Sequence, residues 1–283
     1  MQNKNLKFVF WGTPDIASET LEILKQNNYI PLLIITSSDK KQGRKMILTP
    51  PPVKIWAKKN NIPYIQPEKL DIKDLENNAD LFIVVAYGKI IPENILNIPK
   101  FGSINIHYSL LPKYRGASPL ESAILNGDIE TGVTIQKMKY KIDSGNIIAQ
   151  ERVNIFPNEK APDLRKHLIK IGGELLTNIL PDFINGKTKE TTQNEEGATF
   201  CKKIKKEDGL LDLNDDAIKN YNKFRAYASW PRTFFFKENK RIIITDAILE
   251  NNPLDETPGK QFIIKKVLPE GKKEIKYEDF IKN

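Results

Sequence analysis

The run Leu81-Phe82-Ile83-Val84-Val85-Ala86 is apolar at every position, without the alternation of a strand that has one wet face. Such a strand needs cover on both sides, and a parallel sheet flanked by helices provides it. Leu6 to Trp11, Pro31 to Thr36 and Ser103 to His107 also read as strands. Helical periodicity falls near Asp15 to Gln26, Val53 to Lys59 and Pro119 to Leu125. This pattern predicts an α/β fold, a doubly wound and mostly parallel sheet, with its ligand site at the carboxyl ends of the strands.

The chain has 283 residues, room for a second domain, since single cores stop growing at roughly 200 to 250 residues. Ala161 to Leu180 reads as an amphipathic helix with Leu164, Leu168, Ile171, Leu175 and Ile179 on one stripe. The polar stretch from Asn185 to Glu196 reads as a connection. The expected division is a first domain over 1–186, a linker over 187–205 and a second domain over 206–283, with a helix around Asp215 to Tyr227 and β segments at Thr233 to Phe236, Arg241 to Thr245 and Gln261 to Val267. No apolar run approaches the roughly 18 residues that span a bilayer, and the N-terminus does not read as a signal peptide, so a cytoplasmic protein without membrane contact is expected. One cysteine, Cys201, and two histidines offer no metal site. The net charge of +8 suits an anionic partner. Nearly all of that excess precedes Lys206, and it is densest at Lys40, Lys41, Arg44 and Lys45.

The turn Gly12-Thr13-Pro14-Asp15 follows a strand and opens a helix but lacks the further glycines of a dinucleotide fingerprint, which argues against a redox enzyme. Chemistry concentrates later. Alternation along Ser103 to His107 puts Asn105 and His107 on one face near the strand's carboxyl end. An amide supplies hydrogen-bond donors and an imidazole moves protons, which suits a carbonyl acquiring charge while an amine loses a proton. Asp143, in the turn Lys141-Ile142-Asp143-Ser144-Gly145, is the natural carboxylate to orient His107. Each residue also has a structural reading: Asn105 satisfying a buried backbone group, His107 packed at a strand end, Asp143 capping its turn.

Asn105-x-His107 followed by Ser109-Leu110-Leu111-Pro112-x-Tyr114-Arg115-Gly116, then Thr131-Gly132-Val133-Thr134 and Asp143-Ser144-Gly145, resembles the shared core of folate-dependent formyltransferases and hydrolases. Gly12-Thr13-Pro14-Asp15, Gly43-Arg44-Lys45 leading into Pro50-Pro51-Pro52, Val84-Val85-Ala86-Tyr87-Gly88, Trp230-Pro231 and Gly271-Lys272-Lys273 narrow the resemblance to the methionyl-tRNA formyltransferases. It covers nearly the whole chain. It implies a Rossmann-like first domain and a C-terminal OB-like domain that contacts tRNA, with 10-formyltetrahydrofolate as co-substrate, no metal, initiator methionyl-tRNA as partner, and a monomer.

The resemblance makes Asn105, His107 and Asp143 the catalytic set. It assigns folate binding to Ser109, Leu110, Leu111, Pro112, Tyr87, Gly88, Ile90 and Ile91, and tRNA binding to the basic loop Lys40, Lys41, Arg44 and Lys45. The chain departs from the family at Met138-Lys139 and Lys141-Ile142-Asp143, a turn less acidic and poorer in glycine. Its second domain is short by roughly twenty residues, about two of the five strands of such a barrel. Two other readings compete: an N-formyltransferase acting on an amino-sugar nucleotide or a ribonucleotide, and a tRNA-binding protein without catalysis.

Overall fold

The computed structural model describes residues 6–43, 45–69, 75, 79–251 and 259–282. It separates into two compact units, Met1–Arg115 with Gly132–Val153 and Lys166–Thr199, and Gly116–Thr131 with Asn154–Arg165 and Phe200–Asn283. This differs from the sequential division expected at 187–205. Residues 116–131 and 154–165 cluster with the C-terminal part, and residues 187–199 cluster with the first unit.

The first unit is built on a seven-stranded sheet. Its strands are β1 (Phe8–Gly12), β2 (Leu33–Ile35), β5 (Tyr64–Ile65), β6 (Leu81–Val85), β7 (Ser103–His107), β9 (Glu130–Lys137) and β10 (Ile147–Asn154), in the order β10-β9-β7-β6-β1-β2-β5. A small separate hairpin consists of β3 (Lys40–Gln42) and β4 (Ile47–Thr49). Strands from β5 to β7 in that order run parallel. β9 runs antiparallel to β7, so the sheet is mixed at the edge that carries Asn105 and His107. β1 and β6 are buried at every position, as their unbroken apolar character requires.

Helix α1 (Asp15–Gln26) starts directly after the Gly12 turn and buries Ile16, Leu21 and Leu24. A Cβ on Gly12 would lie 2.6 Å from Ala17 Cβ and 2.9 Å from the Val85 carbonyl oxygen, so only glycine lets helix and strand approach this closely. Helix α2 (Pro52–Lys59) opens on a proline, whose missing N–H costs nothing in a first helical turn. A short helix, α3 (Glu93–Leu96), precedes β7. Two short strands, β8 (Arg115–Gly116) and β11 (Phe200–Cys201), lie where the chain passes from one unit to the other. Helix α5 (Ala161–Ile184) begins in the second unit and ends in the first. Among the described residues no helix is long and apolar enough to cross a membrane.

The second unit contains α4 (Pro119–Leu125), α6 (Ala217–Ala226), α7 (Tyr277–Lys282) and a four-stranded sheet of β12 (Phe234–Lys237), β13 (Lys240–Asn251), β14 (Lys260–Pro269) and β15 (Ile275–Lys276). Each sheet neighbour is antiparallel and follows in chain order. Among the described residues this sheet is open, as the missing length predicts. Asp216 caps α6 by accepting from the Lys219 N–H at 2.9 Å. Tyr221 and Phe224 of α6 join Phe235, Ile242 and Ile264 of the sheet in one core.

Candidate active site

The site grows from the antiparallel edge of the first unit. Asn105 pairs in register with Gln136 and His107 with Thr134, and directly opposite residues of an antiparallel pair share a face. Asn105 and His107 therefore lie beside two polar side chains of β9. Asn105 is half-buried and His107 is 5% exposed.

Two acceptors fix the plane of the His107 ring: the Tyr114 carbonyl oxygen, 2.9 Å from Nε2, and Asp143 Oδ2, 3.6 Å from Nδ1. Tyr114 occupies the left-handed region at φ 60°. Gln136 Nε2 donates to Asp143 Oδ1 at 2.8 Å, so the carboxylate is held on both oxygens. Asp143 is itself left-handed, φ 47°, a conformation that persists only where its surroundings impose it. Two residues on, a Cβ on Gly145 would sit 1.5 Å from the Lys137 carbonyl oxygen. Only glycine lets this turn close against β9.

The polar stretch expected to be a linker straps this turn down. Glu190 accepts from Lys137 and Asn146, both at 3.0 Å, and Thr191 exchanges backbone hydrogen bonds of 2.8 Å with Ile147. Gln193 Nε2 donates to the carbonyl oxygens of Asp143 at 2.9 Å and Gly145 at 2.7 Å. Its Oε1 accepts from Arg115 Nε at 3.0 Å and Nη2 at 2.8 Å. A guanidinium only donates and a carbonyl only accepts, so the orientation of the Gln193 amide is determined. Arg115, fully buried, also forks onto Glu195, with Nη2 at 2.7 Å and Nη1 at 3.1 Å. Hydrogen bonds from Arg115 and Lys141 hold the Glu195 carboxyl down to about 2. Gln136, Gln193, Arg115 and Glu195 were not singled out by the sequence. The segment Glu190 to Glu195 is polar at every position, and composition alone reads that as a solvated connection.

The segment Ser109 to Pro112 folds against β9. Thr134 Oγ1 donates to the Ser109 carbonyl at 2.6 Å and accepts from the Leu111 N–H at 3.2 Å, and Gln150 Nε2 donates to the Leu111 carbonyl at 3.0 Å. Ser109 and Leu111 are buried, Leu110 and Pro112 half-buried, and the Ser109 hydroxyl donates to the Lys113 carbonyl at 2.6 Å. Tyr87 and Ile91 belong to the core cluster around Trp11 and Phe82, whereas Gly88 is exposed and Ile90 is 80% exposed. The rings of Tyr87 and Trp11 meet edge-on at 5.3 Å. The Tyr87 hydroxyl and Trp11 Nε1 are buried without a hydrogen-bond partner, and burial pushes the Tyr87 hydroxyl up.

Lys40 and Lys41 are exposed on β3, in the hairpin with β4, and Lys45 is exposed in its turn beside exposed Met46, Ile47 and Leu48. Arg44 lies outside the described residues. Among the described residues no group of three or more His, Cys, Asp or Glu could hold a metal.

The profile of the formyl transferase family matches residues 4–180, and that of the formyl transferase C-terminal domain matches residues 203–266. A methionyl-tRNA formyltransferase of Staphylococcus epidermidis is 36% identical over 97% of this chain and 95% of its own length. This chain belongs to the methionyl-tRNA formyltransferase family. It is thus a transferase, with its conserved-length relatives aligned across both units. Among solved structures, an N-formyltransferase from Helicobacter canadensis, in complex with folinic acid and dTDP-3-aminofucose, superposes with a TM-score of 0.70 at 22% identity, covering 92% of this chain and 99% of that one. A methionyl-tRNA formyltransferase from Clostridium thermocellum does so with a TM-score of 0.60 at 16% identity, over 92% and 100%. At such identities the superpositions speak for the fold alone.

Proposed function

We propose that this enzyme transfers the formyl group of 10-formyltetrahydrofolate to the α-amino group of methionine carried by initiator tRNA. One observation carries the reading: His107 faces Asp143 at the carboxyl end of β7, with Asn105 two residues before it on the same strand, in a chain 36% identical over nearly its whole length to a methionyl-tRNA formyltransferase.

The amine attacks the formyl carbon, and the N10–carbon bond breaks as N10 gains a proton. An α-amino group titrates at about 7.7 to 8.0, so much of it is nucleophilic near neutrality. Asn105 donates its amide N–H to the formyl oxygen as charge collects there, a contribution of roughly 3 to 4 kcal/mol in comparable sites. The pair of His107 and Asp143 takes the proton that the amine loses and returns one toward N10. Ser109 to Pro112 and Tyr87 to Ile91 border the folate pocket, and the two unpartnered buried donors, Tyr87 hydroxyl and Trp11 Nε1, support a polar ligand on that side. Lys40, Lys41, Arg44 and Lys45 grip the acceptor arm of tRNA. Residues 1–186 carry the chemistry together with the strap over 187–199, which belongs to the same unit, and 206–283 contact tRNA, in a cytoplasmic monomer.

The test offers labelled 10-formyltetrahydrofolate together with methionyl initiator tRNA, a charged elongator tRNA, an amino-sugar nucleotide and glycinamide ribonucleotide in separate reactions. Label should pass to methionyl initiator tRNA; transfer to the sugar nucleotide instead would overturn the acceptor. Near-normal turnover in Asn105→Ala, His107→Ala and Asp143→Ala would overturn the site.

A further inference from the structure

A small cavity in the second unit is lined by Lys160, Tyr227, Arg232, Thr233 and Thr245, with Phe224 and Ile244 among its apolar walls. Thr233 is 1% exposed. Among the described residues the buried hydroxyls of both Thr233 and Thr245 have no hydrogen-bond partner, and buried hydroxyls in native proteins are almost always satisfied.

The backbone is arranged to bring these groups together. The Ile244 N–H donates to the Thr233 carbonyl at 2.9 Å, which sets Thr233 across from Ile244. The pairing of β13 with β14 slips between Ile244 and Asp246. Thr245 is therefore the extra residue of a β-bulge, a device that re-aims a side chain. Arg232 is held in the left-handed region at φ 66°, with its N–H on the Tyr227 carbonyl at 3.1 Å. A non-glycine residue kept there costs on the order of 1 kcal/mol and tends to mark functional positions.

The charges are uncommitted as well. Among the described residues neither Lys160 nor Arg232 forms an ion pair; Lys160 lies over the Phe224 ring at 4.9 Å. The carboxylates nearby are occupied. Glu121 accepts from Arg165 at 2.6 Å, Asp208 from the Lys205 N–H at 2.7 Å and Glu159 from the Phe156 N–H at 3.1 Å. Burial, reinforced by Asp208 and Glu121, pushes the Tyr227 hydroxyl up to about 12, so the phenol of this lining residue stays protonated and able to donate.

Two cations, two hydroxyls and a phenol in a compact cavity are the donor set for a tetrahedral oxyanion. We propose that this cavity binds phosphate oxygens, those of one backbone phosphodiester of the tRNA substrate or of free phosphate, and so fixes where the second unit sits on the acceptor. The choice of tRNA rests on the function proposed above; the phosphate site itself does not.

The test uses the full-length enzyme with two alterations, Arg232→Gln and the double substitution Thr233→Val with Thr245→Val. Inorganic phosphate is titrated at constant ionic strength against a chloride control while melting is followed. KM for methionyl-tRNA is measured across a salt series. Hydrogen bonds to a charged group predict a rise of about tenfold or more in that KM for each alteration, and Arg232→Gln should reduce the log–log salt slope by about one. The double valine variant should also melt higher without ligand, because it removes two unpaired buried hydroxyls; a structural role alone would not pair a gain in melting temperature with a loss of substrate affinity. Loss of the phosphate-induced rise in melting temperature, with tRNA KM at the wild-type value, supports the site with free phosphate as its occupant. If wild type shows no phosphate response and both variants, folded, keep the wild-type KM, the cavity holds only water and the proposal is overturned. Failure of the wild type to formylate methionyl-tRNA would overturn the functional reading, while the phosphate titration would still decide the cavity.

Discussion

Replacing Gln193 with leucine isolates what the strap contributes to the Asp143 turn. The side chain is 5% exposed and makes five hydrogen bonds, two accepted from Arg115 and three donated, to the carbonyls of Asp143 and Gly145 and, at 3.5 Å, to Gln136 Oε1. Leucine has similar bulk, so little cavity forms. The Arg115 guanidinium keeps Glu195 through both Nη atoms but loses, in a fully buried position, the acceptor that Gln193 offers to Nε and Nη2. A lost hydrogen bond to a charged group costs about 1.5 to 3 kcal/mol and two stranded carbonyls about 1 kcal/mol each. The sum, discounted for non-additivity, is about 3 to 4 kcal/mol. Activity should fall further than stability alone demands. Without Gln193 the turn can move, and a displacement of about 1 Å at a reacting centre costs on the order of 100-fold. Urea unfolding and steady-state formylation on the same preparation measure both quantities. Gln193→Glu separates the two halves of the side chain, since it retains an acceptor for Arg115 but sets a carboxylate against the carbonyls. It should be as inactive as the leucine variant and more stable. Unfolding within about 1 kcal/mol of wild type, together with kcat/KM within about twofold for Gln193→Leu, would refute the reasoning.

Gly145→Ala places a methyl 1.5 Å from the Lys137 carbonyl oxygen; backbone must shift, so a loss of about 3 kcal/mol or more is expected in denaturant unfolding, with activity abolished. The Glu195 carboxyl is lowered to about 2 from an ordinary 4.5, so its stabilising effect is complete above about pH 4.5 and disappears as pH falls toward 2. Melting curves of Glu195→Gln should accordingly lose part of the wild-type decline in that window; parallel curves would exclude the ion pair as its cause. Removing the three exposed lysines of the hairpin with Lys40→Gln, Lys41→Gln and Lys45→Gln should raise KM for tRNA and flatten its salt dependence by about one log–log unit per lost phosphate contact, and an unchanged slope would remove the hairpin from the tRNA interface.

The first unit was legible where structure follows from local pattern. Apolar runs on two faces gave β1 and β6, and a period of two along β7 put Asn105 and His107 on one face. The contact of Asp143 with His107 was reachable through the turn Asp143-Ser144-Gly145 and the family motif it belongs to, since with 36 Asp and Glu residues in the chain residue type alone does not choose a partner for an imidazole. What stayed hidden depends on register. Glu130–Lys137 and Ile147–Asn154 were not read as strands, and nothing local says that β9 runs antiparallel to β7 and sets Gln136 beside Asn105. Glu190 to Glu195 misled for the same reason. Its polar side chains look solvated until Lys137, Asn146 and Arg115 are known to face them. In the second unit the β segments at Thr233 to Phe236, Arg241 to Thr245 and Gln261 to Val267 were legible, but the short β15 and the bulge at Thr245 follow from strand pairing and leave no mark in the sequence.

The hydrogen bonds of His107 also divide the labour proposed for the site. Both ring nitrogens already face acceptors, the Tyr114 carbonyl and Asp143, and Gln136 occupies the other carboxylate oxygen. Among the described residues no hydrogen-bond partner engages the Asn105 amide, which sits half-buried on the same strand face. To donate to the formyl oxygen His107 would have to abandon the carbonyl that Tyr114, in its left-handed conformation, aims at the ring. The oxyanion therefore falls to Asn105, and for His107 to carry the proton with Asp143 its Nε2 must first leave the Tyr114 carbonyl, which can only accept. Such a division is separable by rescue. His107→Ala opens a cavity beside Asp143, where added imidazole can replace the missing proton carrier and restore turnover in a saturable manner. Asn105→Ala should lose about 100- to 1000-fold in kcat and gain nothing from imidazole, because a fixed amide dipole is not restored by a diffusible base. Equal rescue of both variants, or of neither, would show that the two side chains share one role.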